Sequence, residues 1–445
     1  MHRIRSAIAA ALAVAVAVMH PAAAQPAAPQ DSAVTLSPVE LFAFADAARA
    51  RGDYAAAEAA YRALAENPDI ELRTEARFRL ATMFIDDLGR DTDAAVLLRR
   101  ILDEKPDAAP VRLELARVLG RLGDEAGVRR ELRQAQAGDL PPQVAQFVDS
   151  YVRALSARRP FGGSATIGLA PDSNINRATR SDTIDTVFAP FTLSEDARQQ
   201  SGLGLTLGGN VFARTGLTEG VGLLARATGD GRFYRQGAFN DTTLSLLAGP
   251  EVALGRDRLN IAAGYVWRWF GGDPYSETAT VSGSFIHPAG RQAQLAASLS
   301  AGRIDNRLND GQDGEVYGAG LSYDRALGSR GGIGIGLSGA RQDARNSGYA
   351  AWQGGVALRG FREMGRMTVR AEIEYRKLEA DARLFLFPER RSDDRYSADV
   401  AATFRQLTFF GFAPAIQIGW ERNRSTVDIY DYRRISGQVA IERAF

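Results

Sequence analysis

From Met367 to Arg376 the chain reads Met-Thr-Val-Arg-Ala-Glu-Ile-Glu-Tyr-Arg, with an apolar side chain at every odd position and Thr, Arg, Glu, Glu, Arg between them. Successive side chains of an extended strand point to opposite faces, so this period of two builds one greasy face and one charged face. From Gly162 onward about fourteen segments of roughly 9 to 14 residues repeat the alternation. Ala293 to Ala301 sets Leu295, Ala297, Leu299 and Ala301 against Gln294, Ser298 and Ser300. Leu259, Ile261, Ala263, Tyr265, Trp267 and Trp269 form another apolar row that ends in aromatics, and Ile416, Ile418 and Trp420 form a third. Aromatic ends of this kind mark the level where a strand meets a lipid-water boundary.

A soluble sandwich also alternates, but it must cover its apolar faces with a second dry sheet. Here nearly every segment carries charge or Gly on the opposite face. A closed barrel with lipid outside and a polar lumen inside satisfies both faces and leaves no unpaired strand edge in hydrocarbon. Connection lengths give the orientation. Tight turns are predicted near Gly216 to Glu219, Arg256-Asp257, Pro288 to Gln292, Gly328 to Gly332, Met364-Gly365 and Phe410-Gly411. Longer polar loops are predicted near Arg177 to Gln199, Asp305 to Gly314 and Ala380 to Asp394. Short turns belong to the periplasmic side of such barrels and long loops to the outside. The chain closes on ISGQVAIERAF, with alternating Ile435, Gly437, Val439 and Ile441 and a terminal Phe445.

The first residues agree with that compartment. Arg3 and Arg5, an apolar run from Ile8 to Val18 and Ala22-Ala23-Ala24 before Gln25 make a secretory signal peptide over 1–24, with a flexible segment over 25–37. The chain has no Cys, which excludes disulfides, thiolate metal sites and Cys nucleophiles. Two of the three His, His2 and His20, fall in the signal peptide. His287 remains, at a strand end, and reads as a surface residue rather than a catalytic one. A net charge of +1 points to no nucleic acid. No phosphate cradle, cofactor site or metal site is predicted, and no enzymatic activity.

Between these segments the pattern is helical. Gly52-Asp53-Tyr54, Gly89-Arg90-Asp91 and Gly123-Asp124-Glu125 recur, and Pro68, Pro106 and Pro141 follow at a similar period. Small or apolar residues keep step: Ala57, Ala94 and Val128, then Tyr61, Leu98 and Leu132, then Leu64, Ile101 and Ala135. The array resembles the tetratricopeptide repeat, a helix-turn-helix unit with a turn Gly, small residues where helices touch and a closing Pro. Stacked pairs of this kind leave a concave protein-binding groove. The helical repeat domain is placed over 38–160, including a further helix from Gln143 to Leu155, and the barrel over 161–445.

The two halves meet at FGGSATIGLAPDSNIN, where a strand-like run ends in Pro171, Asp172, Ser173, Asn174 and Asn176. Short polar side chains here bond their own backbone and can end a strand, or they can anchor one mouth of a path through the barrel. Three features are similar to the surface lipoprotein assembly modulator family, the translocators of type XI secretion. They are helical repeats fused to a barrel of about fourteen strands, this Asp-Ser-Asn-Ile-Asn run, and the ending from Gly411-Phe412-Ala413-Pro414 through Trp420-Glu421-Arg422-Asn423-Arg424-Ser425 to Phe445. The resemblance implies a protein of the bacterial outer membrane, with its repeats in the periplasm, that moves lipoproteins or secreted soluble proteins to the cell surface. It implies cargo, outer-membrane lipids, the barrel-insertion machinery, which reads Phe445, and periplasmic chaperones as partners. Arg370, Glu372, Glu374, Arg376 and Asp399 are expected to face the lumen. Polysaccharide export and a passive porin are the competing readings. Both are weaker, because a passive pore has no use for repeats and such exporters carry longer arrays and a one-signed lumen.

Overall fold

The computed structural model describes residues 36–137, 161–407 and 412–443. The signal peptide, most of the 25–37 segment, Pro141, the helix expected from Gln143 to Leu155, the turn at Phe410-Gly411 and the terminal Phe445 lie outside the described residues.

Six helices come first among the described residues: α1 (Pro38–Ala50), α2 (Tyr54–Leu64), α3 (Ile70–Asp86), α4 (Asp91–Glu104), α5 (Ala109–Arg121) and α6 (Glu125–Ala137). They form three helix-turn-helix pairs. Gly52, Gly89 and Gly123 occupy the three turns with φ of +79°, +64° and +78°, the left-handed region that a Cβ disfavours. Starts are written in the sequence too. Ser37 and Glu40 form a reciprocal capping box ahead of α1, Asp53 accepts from the Ala56 N–H, and Asp69 accepts from the N–H groups of Glu71 and Leu72. Ala57 and Ala94 are fully buried where paired helices touch. Around them Phe42, Tyr61, Leu80, Phe84, Leu98 and Leu115 form one continuous core. Burying each such large side chain stabilises by about 1.5–3 kcal/mol. The Tyr61 hydroxyl donates to Asp46, and burial together with that carboxylate pushes the phenol well above its ordinary pKa.

Fourteen long strands follow and close into an antiparallel barrel. They are β1 (Phe161–Asp172), β4 (Gly202–Thr218), β5 (Val221–Tyr234), β6 (Asp241–Leu254), β7 (Asp257–Phe270), β8 (Asp273–Ala289) and β9 (Ala293–Asn306). The circuit continues with β10 (Gly314–Ala326), β11 (Gly331–Ala344), β12 (Ala351–Met364), β13 (Met367–Ala380), β14 (Ser392–Phe404), β15 (Phe412–Ser425) and β16 (Tyr432–Arg443). Two short strands, β2 (Thr183–Ile184) and β3 (Phe191–Thr192), pair with each other inside the loop after β1. Each strand pairs with its sequence neighbour, and β16 returns to β1.

One end of the barrel carries the turns around Gly220, Gly255, Gly290, Gly328 and Gly365, all with positive φ. The other end carries the segments 173–201, 307–313 and 381–391. Loop length does not alternate without exception: β7 and β8 join at the long-loop end through Gly271-Gly272 alone, with φ of +65° and +95°. The tight turn expected at Gly216 to Glu219 sits further on, because β4 accommodates a bulge between Gly216 and Thr218 before turning at Gly220. At the long-loop end Ile184 and Leu193 of the first loop pack with Phe387 and Val427 of two later loops.

Candidate functional site

The helical region sits against the short-turn mouth of the barrel, and the contact is made by charge. Arg112 of α5, only 1% exposed, donates to Glu131 of α6 at 2.6 Å, to Gln134 Oε1 at 3.0 Å and to the Ser329 carbonyl of the β10–β11 turn at 2.5 Å. Its Nη2 lies 3.4 Å from Glu363 near the end of β12, whose other carboxylate oxygen is 2.5 Å from Arg99 of α4. Arg99 is also 3.3 Å from Glu131. Arg405, just after β14, reaches Asp103 of α4 at 2.7 Å and the Gly365 carbonyl at 2.5 Å. The Ser329 hydroxyl donates to Asp107 at 2.5 Å. Three guanidinium groups thus meet three carboxylates, all of them nearly buried. Burial pushes the Asp103 carboxyl above its usual range, with Arg405 and Arg99 pulling the other way. Burial disfavours the charged form of Arg99, but Glu363, Glu131 and Asp103 outweigh it and hold the guanidinium above its ordinary pKa.

Such a cluster contributes little net stability compared with an apolar contact, yet loss of one member strands a buried charge at a cost of about 3–5 kcal/mol. It therefore fixes one docked pose. Two further contacts hold the same pose, one polar and one of backbone on backbone. Arg133 of α6 donates to Gln294 of β9 at 3.1 Å, and the turn glycine Gly123 abuts Gly162 of β1.

Register places Arg370, Glu372, Glu374 and Arg376 of β13 and Asp399 of β14 on one face of the sheet, opposite the exposed apolar Ile373 and Val400. Arg370 donates to Glu442 of β16 at 3.0 Å, Arg376 to Glu374 at 2.5 Å, and Gln417 to Asp399 at 3.1 Å. Glu372 lies opposite Arg359 on one side and Asp399 on the other. This wall, from β13 to β16, carries both signs. The wall from β8 to β11 differs: Ser282, Ser284, Ser298, Ser300, Gly320 and Ser338 present short neutral side chains to a hollow of about 440 Å³, which Arg226 of β5 and Asn260 of β7 also border.

The polar run at the end of β1 is tied down, with Asp172 and Asn174 buried. Arg434 of β16 grips the Asp172 carboxylate with Nε at 2.9 and 3.0 Å and Nη2 at 2.5 Å, and Nη1 reaches Glu421 at 3.3 Å. Tyr432 donates to the same Glu421. Ser173 donates its N–H to the Ile435 carbonyl at 2.9 Å, and its hydroxyl accepts from the Ile435 N–H at 2.8 Å. The amide of Asn174, fully buried, donates to the carbonyls of Ala178 and Arg433 and accepts from the Ala178 N–H. Asn176 donates to the Arg198 carbonyl at 2.7 Å and accepts from the Gln200 N–H. Pro171 packs near Gly437. So Asp172, Ser173 and Asn174 join β1 to β16 across the closure of the barrel, while Asn176 holds the loop on itself.

Of the remaining residues singled out in the sequence, Gly52, Ala57, Tyr61, Gly89 and Ala94 serve helix pairing, and Gly123 both turns a pair and touches the barrel. His287 lies half exposed with Nδ1 2.7 Å from Asp257. Sequence reasoning missed Arg99, Arg112, Glu131, Glu363 and Arg405. The available signal was weak: Arg99, Arg112 and Glu131 fall on faces otherwise filled by Leu, Val and Ala, where a charge needs a partner.

Residues 162–445 match the model of the surface lipoprotein assembly modifier family. Among curated relatives, surface lipoprotein assembly modifier 1 of Neisseria meningitidis is 25% identical over 49% of this chain and 43% of its own length. The hemophilin secretion modulator of Acinetobacter baumannii is 21% identical over 77% of this chain and 74% of its own. The chain thus aligns with less than half of the meningococcal relative. Among solved structures, the outer membrane channel DcaP of Acinetobacter baumannii matches at 7% identity over 63% of this chain and 96% of that one, with a TM-score of 0.36.

Proposed function

This chain belongs to the surface lipoprotein assembly modifier family, and on that premise we propose that it is a translocator, not an enzyme, that delivers lipoproteins or secreted soluble proteins to the cell surface. The barrel lies in the bacterial outer membrane, with the helical region at its short-turn, periplasmic end. The observation that carries the reading is the buried charge cluster of Arg99, Arg112, Glu131, Asp103, Glu363 and Arg405, which holds the helical array on the periplasmic mouth. The array captures cargo there and presents it to the route. A passive porin gains nothing from a mouth covered by an ion-paired cap.

On this reading the helical repeats occupy 38–160 and the barrel 161–445. The test is deletion of the gene in the source bacterium, followed by protease shaving of intact cells and identification of the proteins lost from the surface. Loss of one or a few surface proteins, restored by the full-length chain, is expected. An unchanged surface inventory refutes the translocator reading.

A further inference from the structure

Five arginines at the short-turn mouth differ from their neighbours. Arg99, Arg112 and Arg405 are each held there by a carboxylate. Arg100 of α4, Arg325 of β10, Arg330 of the β10–β11 turn, Arg362 of β12 and Arg366 of the β12–β13 turn are all exposed, and none of them makes an ion pair among the described residues. The backbone gathers them. The Glu363 N–H donates to the Arg330 carbonyl at 2.7 Å and Gly331 pairs with Arg362, so Arg330 and Arg362 hold neighbouring positions. Arg325 pairs with Ile333, two residues along β11 from Gly331. The Arg405 N–H donates to the Arg366 carbonyl at 2.9 Å while its guanidinium holds Asp103 of α4, which sets Arg100 near the β12–β13 turn.

Their level in the membrane follows from the strands. Arg325 lies four residues beyond Leu321 and Arg362 four beyond Leu358, hence on the faces that carry those exposed apolar side chains, and Ile333 opposite Arg325 is exposed as well. That apolar face meets lipid in an outer-membrane barrel. Both arginines come close to the end of their strands, beside the exposed Leu327 and Met364, so they stand where the apolar band gives way to headgroups, with Arg330 and Arg366 in the turns just past it. Arg100 joins them from the helical region. Partial burial first, then the charges of Arg77 and Arg366, push its guanidinium below its ordinary pKa, and Glu66 offsets them only in part. Two cations from distant parts of the chain thus act on each other without a carboxylate partner among the described residues, an arrangement that repels until a counter-charge joins it.

We propose that Arg100, Arg325, Arg330, Arg362 and Arg366 bind the phosphate headgroup of an anionic phospholipid of the periplasmic leaflet, and that this lipid staples α4 to the β12–β13 turn. The inference rests on the outer-membrane placement of the barrel with its short turns at the periplasm, and not on what the protein transports. Arginine suits a phosphodiester because its planar fork offers N–H donors to two oxygens at once. Position favours a lipid over an acidic polypeptide. Arg325 and Arg362 rise from lipid-facing rows beside Leu327 and Met364, so the ligand has to place its charge in the headgroup layer and its apolar part against the same face. A phospholipid does both, and basic pockets at this level of a membrane protein are suited to anionic headgroups.

The test uses the full-length protein in detergent micelles doped with phosphatidylglycerol or, at the same mole fraction, with zwitterionic phosphatidylcholine. Bound lipid is counted by native mass spectrometry, hydrogen exchange in α4 is followed in parallel, and unheated gel mobility confirms a closed barrel. Phosphatidylglycerol is expected to be retained over phosphatidylcholine and to slow exchange in α4. Arg100→Gln with Arg366→Gln should weaken its binding roughly thirtyfold, about fivefold for each charge removed. Arg100→Lys with Arg366→Lys, which keeps the charge, should weaken it far less. Arg235→Gln, which removes an exposed arginine just after β5 at the opposite end of the barrel, should leave it unchanged. Equal retention of the two lipids by the native chain, or undiminished binding by the Gln variant with its barrel closed, overturns the site. Inorganic phosphate that slows α4 exchange as much as the doped micelles do overturns the lipid in favour of a free anion, and polyglutamate that does so overturns it in favour of an acidic polypeptide. The translocator reading stands or falls separately, on the surface inventory of the deletion strain.

Discussion

Replacing Gly123 by Ala should damage the protein more than replacing Gly52 by Ala, although the two glycines hold the same place in their helix pairs. Their φ values are +78° and +79°, so both substitutions place a Cβ in the left-handed region at about 1–2 kcal/mol. At Gly52 the new carbon meets nothing within 4 Å. At Gly123 it stands 2.7 Å from the Gly162 Cα and 3.2 Å from the Phe212 ring. Backbone cannot swing aside as a side-chain tip can, so the helical array must lift from β1, at a further ~1–3 kcal/mol typical of overpacking. For a unit of this size ~1 kcal/mol moves the melting midpoint by about 4–8 °C. Helical far-ultraviolet dichroism of the full-length protein in detergent, followed on heating, should give Gly123→Ala the lower midpoint of the two. Equal midpoints would refute the claim that the Gly123–Gly162 approach holds the array in place.

Asp172→Ala should lower the temperature at which the compact gel band is lost by far more than a strand cap, since it strands Arg434 at about 3–5 kcal/mol against ~1 kcal/mol for a cap. Adding Arg434→Leu should recover much of that loss, and no recovery would count against the pair. Arg112→Leu should leave Arg99 alone to offset Glu131 and Glu363 and speed hydrogen exchange in α5 and α6 while barrel mobility on gels stays normal; unchanged exchange would remove Arg112 from the junction. Burial raises the Glu104 carboxyl, but hydrogen bonds from Arg77 and Arg73 outweigh it and hold it below the ordinary 4.5. A depressed carboxylate stabilises above the unfolded value and loses that contribution as pH falls through the folded one. The melting advantage of the native protein over Glu104→Gln should therefore be full near neutral pH and shrink below about pH 4.5. Asp103 is present in both proteins and cancels from the difference, so an advantage that does not shrink on acidification would refute the role of Glu104.

The barrel was legible because its two solvents force a period of two, which is why Met367 to Arg376 alone nearly dictates an inward and an outward face. The helix pairs were legible because left-handed turns call for Gly and close helix contacts for Ala. What was not legible depends on pairs far apart in the chain. Asp172 and Asn174 announced themselves as strand-ending residues, but their partner Arg434 stands 262 positions away, and no local rule connects them. Glu363 reads as one more polar residue at a strand end until α4 and α5 bring Arg99 and Arg112 against it.

The Ser and Gly wall of β8 to β11 has a kinetic meaning. Under the translocator proposal, a chain drawn past Ser282, Ser298, Ser300 and Ser338 meets short neutral side chains there, with Arg226 the charged residue that borders the same hollow, so little on that face holds it. Under that proposal, discrimination among passengers falls to the helical array at the threshold and to the charged wall of β13 to β16.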